Sequence, residues 1–244
     1  MHAESTPPTP PTESRRAFLK ISAAAGTGIL IAGCQVTGKE DHEKEGDEEG
    51  EKVTPGEDLM QEHGVLKRIL LVYGEGIRRI DANEEMPPEA LQNAAKLVRS
   101  FVEEYHEQQE EKFLFPRMRQ ANKLVDLVDV LLAQHKAGRV VTDRIITLST
   151  LATLRDANQK KQLADLMRQF IRMYNVHEAR EDTVLFPAFR DMLTKNEYDA
   201  LGEDFEKEEH KHFGADGFDM AVDQVTGIEK VLGIYDLAQY TPRV

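Results

Sequence analysis

His106-Glu107-Gln108-Gln109-Glu110, followed by Leu114-Phe115-Pro116, returns as His177-Glu178-Ala179-Arg180-Glu181, followed by Leu185-Phe186-Pro187. Both copies read His-x3-Glu-x3-Leu-Phe-Pro and lie 71 residues apart. Residues i and i+4 of a helix share a face one turn apart, so each copy presents an imidazole beside a carboxylate, half of a metal site. A lone histidine precedes each copy, His63 by 43 residues and His135 by 42. The unit is therefore a helix with His, a loop and a helix with His-x3-Glu, used twice. Two such units packed face to face predict an all-α fold, an antiparallel up-and-down four-helix bundle with additional C-terminal helices. Its interior would receive four imidazoles and two carboxylates from facing helices.

The 244 residues suffice for one sizeable core. With 44 acidic against 31 basic side chains the formal net charge is −13, which excludes nucleic acid as a partner, since a phosphate backbone needs a basic footprint. Eight of the acids fall between residues 39 and 51 against Lys39 and Lys44, and with Gly46 and Gly50 they make a self-repelling spacer. Cys34 is the only cysteine, so neither a disulfide framework nor a thiolate-bound iron–sulfur cluster is available.

At the N-terminus, Ser14-Arg15-Arg16-Ala17-Phe18-Leu19-Lys20 resembles the twin-arginine export signal. The 13 uncharged residues 21–33 that follow are too few to span a bilayer and suit a signal h-region. They end Ile31-Ala32-Gly33-Cys34, which resembles a lipoprotein cleavage box with Cys34 as the acylated residue; simple signal cleavage is the alternative. The expected organisation is a signal with lipobox over 1–34, an acidic disordered linker over 35–56, the bundle with a fifth helix over 57–213 and a helical tail over 214–244. Localisation is expected in the periplasm or at the outer cell surface, with a lipid anchor as the contact to membrane.

Apolar periodicity places the four long helices at about 57–82, 88–120, 122–154 and 158–193. Thr194 can cap a fifth helix to about Phe213, and a weaker helix falls near 218–232. Pro116 and Pro187 sit late in the second and fourth helices, where an interior proline either ends the helix or kinks it.

Any one of the four histidines could be a satisfied core residue. A buried neutral imidazole needs two hydrogen-bond partners, however, and four in one small core without metal would be costly. Carboxylates mixed with imidazoles and no thiolate suit iron or manganese better than a closed structural zinc site. A carboxylate beside a histidine on each of two helices suggests two metals bridged by Glu110 and Glu181, about 3.5–4 Å apart. Glu107 and Glu178, about 100° round their helices from the histidines, are expected to face solvent. Tyr105 and Tyr174 lie near the ligand face as packing residues or as hydrogen-bond donors to the ligands. The ferritin-type Glu-x-x-His occurs once, at Glu103 and His106, with Tyr174 where the second glutamate would be, and the zincin motif fails at both copies.

The pattern His, His-x3-Glu, His, His-x3-Glu over about residues 57–213 resembles the hemerythrin-like HHE cation-binding domains. The resemblance implies two non-haem iron ions, with manganese or another divalent metal less expected. By analogy His63 and His106 bind one iron and His135 and His177 the other, with Glu110 and Glu181 bridging. One departure is clear: hemerythrins proper place a second histidine one turn from the third helix's ligand, but here Leu131 and Arg139 occupy those turns. The site is then one nitrogen short, unless His210 supplies it; an exposed charged helix around His210 is the alternative. The resemblance implies reversible binding of O2 or NO for storage, transfer or scavenging. Its rivals are a redox enzyme reducing O2, peroxide or NO or oxidising Fe(II), which would need an electron-transfer partner, and an iron donor for repair of damaged iron centres.

Overall fold

The computed structural model describes residues 53–214 and 216–244, and all regular structure among them is helical. The twin-arginine stretch, the lipobox and Cys34 lie outside the described residues. No helix among the described residues is long and apolar enough to cross a membrane.

Helix α1 spans Pro55–Ala82. It starts two residues earlier than the spacing predicts because Thr54 is its cap: the Glu57 carboxylate accepts from the Thr54 N–H at 2.9 Å, the Thr54 hydroxyl accepts from the Glu57 N–H, and Pro55 takes the first helical position. Residues 54–56, expected in the linker, therefore belong to the folded unit. The helix ends at Asn83, whose φ of 54° closes it in the left-handed region.

Helix α2 runs continuously over 88–120 and contains two π-helical stretches, Val98–His106 and Glu110–Leu114. After α3, Val125–Leu148, the helix expected to reach 154 is interrupted: Thr150 caps a separate short α4, Leu151–Arg155, by accepting from the Thr153 N–H at 3.1 Å. Asp156 in turn caps α5, which runs over 157–190 with a π-helical stretch at Glu181–Leu185. The two glutamates of the repeat thus stand at corresponding π turns. The Phe115 N–H bonds to the Glu110 carbonyl and the Phe186 N–H to the Glu181 carbonyl, each five residues back. Neither Pro116 nor Pro187 ends its helix. A proline has no N–H and its ring crowds the carbonyl four residues back, and the wider turn just upstream is the form this distortion takes.

Helix α6, Lys195–Phe213, starts on a capping box between Thr194 and Glu197 and stops at Gly214 with φ 71°. Helix α7, Gly217–Leu232, packs on α1 and α2 through Ala221, Val225, Ile228 and Leu232, and Glu229 accepts a two-pronged bond from Arg68 at 3.0 and 2.5 Å. Helices α1 and α3 both lie along α5, and α2 lies against α1 and α3.

The apolar interior forms two clusters. One includes Leu66, Tyr73, Leu91, Phe101 and Phe170, the other Leu59, Phe115, Leu131, Phe186 and Phe205. Along all four long helices the two clusters are separated by charged or imidazole-bearing residues: His63 lies between Leu59 and Leu66, His135 between Leu131 and Ile145, and Glu181 between Tyr174 and Leu185. A buried polar layer therefore crosses the apolar interior at one level.

Candidate metal centre

Each long helix contributes one imidazole to this layer. His63, His106, His135 and His177 are at most 4% exposed, and Glu110 and Glu181 are fully buried. The rings meet in pairs through their Nε2 atoms: His63 to His106 at 3.1 Å and His135 to His177 at 3.2 Å. Glu181 spans the pairs, with Oε1 3.0 Å from His177 Nε2 and Oε2 3.4 Å from His63 Nε2. Glu110 Oε2 lies 3.4 Å from His135 Nε2 and 4.0 Å from His106 Nε2. Despite these approaches neither carboxylate makes a hydrogen bond of acceptable geometry among the described residues, so four buried oxygens converge without one.

The other ring nitrogens explain how the Nε2 atoms are aimed. His106 Nδ1 donates to Glu62 at 2.7 Å, His63 Nδ1 to Asp182 at 2.7 Å, His135 Nδ1 to Glu111 at 2.9 Å and His177 Nδ1 to Gln134 at 2.9 Å. An oxygen acceptor fixes the proton on Nδ1, so in the neutral ring Nε2 carries the lone pair. Two such lone pairs about 3 Å apart repel unless a cation stands between them. His63 shows the same demand. Burial alone would depress its pKa, but the hydrogen bond to Asp182 and the nearby carboxylate of Glu181 outweigh it and raise the value to about 10, so a proton serves as the cation when no metal is bound. Burial, reinforced by the charge of Glu181, pushes the Glu110 carboxyl well above the usual range. Burial pushes Glu181 the same way, but His177 and His63 hold it below that range.

The ligand atoms of Glu110, His135, His177 and Glu181 lie within 4.8 Å of one another, as do those of His63, His106 and Glu110. These two groups could each hold a metal ion, and the donor set of imidazoles and carboxylates without sulfur suits iron or manganese. The four acceptors also form a closed circuit: α1 holds the histidine of α2 through Glu62, α2 that of α3 through Glu111, α3 that of α5 through Gln134, and α5 that of α1 through Asp182.

Several residues stand elsewhere than the sequence predicts. Glu107 and Glu178, expected in solvent, are 1% and 2% exposed. Arg139 Nη2 donates to Glu107 at 2.7 Å and to Glu111 at 2.6 Å, while Lys67 Nζ meets Glu178 at 2.7 Å. A position 100° from the ligand faces a neighbouring helix here, and the cation one turn after each lone histidine reaches across to it. Burial pushes Glu107 up to about 8 against the pull of Tyr174 and Arg139. The Tyr174 hydroxyl donates to Glu107 at 2.7 Å, and burial and Glu107 raise its own pKa. Tyr105 packs instead on Phe213, with ring centroids 5.1 Å apart. His210 does not join the centre: it is exposed on α6 and its Nδ1 donates to the Glu206 carbonyl of its own helix at 3.0 Å. Nor does helix α3 supply a fifth nitrogen, for Leu131 is buried among apolar side chains and Arg139 is engaged by two acids.

Residues 54–155 match the family model described as the hemerythrin HHE cation binding domain. Over these residues the chain is similar to the hemerythrin HHE cation binding domains. It is 48% identical over 238 residues to an uncharacterized protein of Mycobacterium bovis and likewise to uncharacterized proteins of Mycobacterium tuberculosis, an overlap of 96% of this chain and 93% of each relative. No solved structure matches it significantly. The HHE match holds His63, His106, Glu110 and His135; His177 and Glu181 lie beyond it and are placed by the second copy of the repeat.

Signals for the residues that sequence reasoning missed lay in that repeat. Glu62-His63-x3-Lys67 parallels Gln134-His135-x3-Arg139, and His106-Glu107-x2-Glu110-Glu111 parallels His177-Glu178-x2-Glu181-Asp182. Each flanking residue recurs beside its ligand with the same polarity, except that Gln134 stands where the first copy has a glutamate.

Proposed function

We propose that this chain is an exported, non-haem di-iron protein of hemerythrin type that takes up O2 or NO reversibly. In this reading the four long helices form an antiparallel up-and-down bundle, and the chain leaves by the twin-arginine route to stay tethered by lipid on Cys34. His63 and His106 would hold one iron, His135 and His177 the other, with Glu110 and Glu181 shared between them. The observation that carries the reading is the pair of Nε2–Nε2 approaches at 3.1 and 3.2 Å beside two buried carboxylates. When bound, the irons would supply an open coordination position and exchangeable electrons for a diatomic ligand.

The protein's own part is orientation and exclusion of water. The Nδ1 acceptors fix the four rings, while Phe186 stacks on His63 at 5.5 Å and Phe115 on His135 at 5.7 Å, closing one side with apolar surface. The Tyr174 hydroxyl keeps its proton directed at Glu107, away from the centre. A diatomic ligand held against the Phe115 and Phe186 side would meet no proton donor on those rings, which favours release over reduction and is why binding is preferred to turnover.

Metal analysis tests the centre: about two irons per chain are expected, lost in His106→Ala and Glu181→Ala, and an iron-free purified protein would reject it. Exposure of the reduced protein to O2 tests the activity. A visible band that forms with O2 and disappears under vacuum supports carriage, whereas irreversible oxidation with release of peroxide or water supports the enzyme reading. Labelling with palmitate tests the anchor, and an unlabelled Cys34 would remove it.

A further inference from the structure

The circuit of acceptors is regular in geometry and uneven in charge. Glu62 and Asp182, behind the His63–His106 pair, are both carboxylates. Behind the His135–His177 pair stand Glu111, whose charge is shared with Arg139 at 2.6 Å, and Gln134, a neutral amide. A carboxylate accepting from Nδ1–H drives electron density toward Nε2 and makes the ring a stronger donor, whereas an amide does so weakly. Each of Glu110 and Glu181 approaches one ring of both pairs, within 3.0–4.0 Å, and each lies nearer the His135–His177 pair, so the shared carboxylates favour that pair while the acceptors behind the rings favour the other. Among the four acceptors behind the rings, Gln134 alone differs in charge from its counterpart in the other copy, Glu62.

We infer that Gln134 makes the two metal positions unequal, so that a divalent cation fills the His63–His106 position first and the His135–His177 position second. This rests on the metal reading above and adds an order of loading to it. A half-loaded protein is then a defined species with its ion on α1 and α2, and Gln134 is the positioning residue that creates it.

The test is an anaerobic titration of the full chain, stripped by chelator, with Co(II), read by visible absorption. Two steps are expected, separated by about tenfold or more, the range in which exchange of a ligand's hydrogen-bond partner changes metal affinity. Gln134→Glu tightens the second step and brings the two together, while Glu62→Gln weakens the first by about 10- to 100-fold. In the wild-type order the tight step survives His177→Ala and is lost in His106→Ala. Two Co(II) bound in a single step overturn the inequality alone, as does a tight step that survives His106→Ala or a second step unmoved by Gln134→Glu. Fewer than two Co(II) per chain overturns the metal reading and the loading order with it.

Discussion

Replacing a helical glycine by alanine ordinarily stabilises a helix by about 1 kcal/mol, and Gly138→Ala is predicted to do the reverse. Gly138 lies on α3 one turn beyond His135, and a Cβ there would collide with the hydroxyl of Tyr174. That hydroxyl cannot simply step aside. Tyr174 is 1% exposed, its ring sits 4.4 Å from Phe170 and 5.4 Å from His177, and its proton is given to buried Glu107 at 2.7 Å. Overpacking of this kind costs about 1–3 kcal/mol, and loosening a hydrogen bond to a buried acid adds about 1–3 kcal/mol. Set against the propensity gain, the net loss is about 3 kcal/mol. Gly74 and Gly227 serve as controls, since both are exposed helical positions where an added Cβ meets nothing within 4 Å. Urea unfolding should show Gly74→Ala and Gly227→Ala gaining about 0.5–1 kcal/mol while Gly138→Ala falls. Adding Tyr174→Phe to Gly138→Ala should recover part of the loss, because it removes the atom in the way. A Gly138→Ala protein as stable as the controls would show that Tyr174 does not occupy this contact.

Arg139→Met keeps the apolar stem but strips Glu107 and Glu111 of their shared cation, and urea unfolding should register a loss of about 3 kcal/mol. His210→Ala should leave the metal content of the purified protein unchanged, and a drop of one ion per chain would restore His210 as a ligand. The metal-free protein should lose stability as pH rises. His63 has a folded pKa raised from 6.5 to about 10, so its contribution is fully present below pH 6.5 and is gone once pH passes 10. Thermal melts of chelated protein between these limits should fall steadily, and a melting temperature that climbs over this window contradicts the pairing with Asp182 and Glu181.

The positions of the four imidazoles and two glutamates could be read from the chain because helical periodicity converts spacing into a shared face without reference to neighbours. The same device failed at Glu107 and Glu178. An angle measured on one helix says nothing about which residue of another helix meets it, and here Arg139 and Lys67 do. The π turns were hidden for a related reason. Pro116 and Pro187 announced a disturbance, but its form depends on how the surrounding helices hold the backbone. His210 shows the converse, a residue with suitable chemistry that its helix turns outward. Helix ends were legible where a capping side chain or a left-handed glycine marks them, as at Thr194 and Gly214, and were displaced at Thr54, where the cap itself was taken for linker.

The links that orient the rings alternate in kind. Glu62 to His106 and Gln134 to His177 each join partners within one copy of the repeated unit, whereas Glu111 to His135 and Asp182 to His63 cross from one copy to the other. Either half, meeting a duplicate of itself, would find a counterpart for every bond it offers. The orienting links thus follow an approximate two-fold pattern, and Gln134, standing where the other copy has Glu62, makes that pattern uneven in charge.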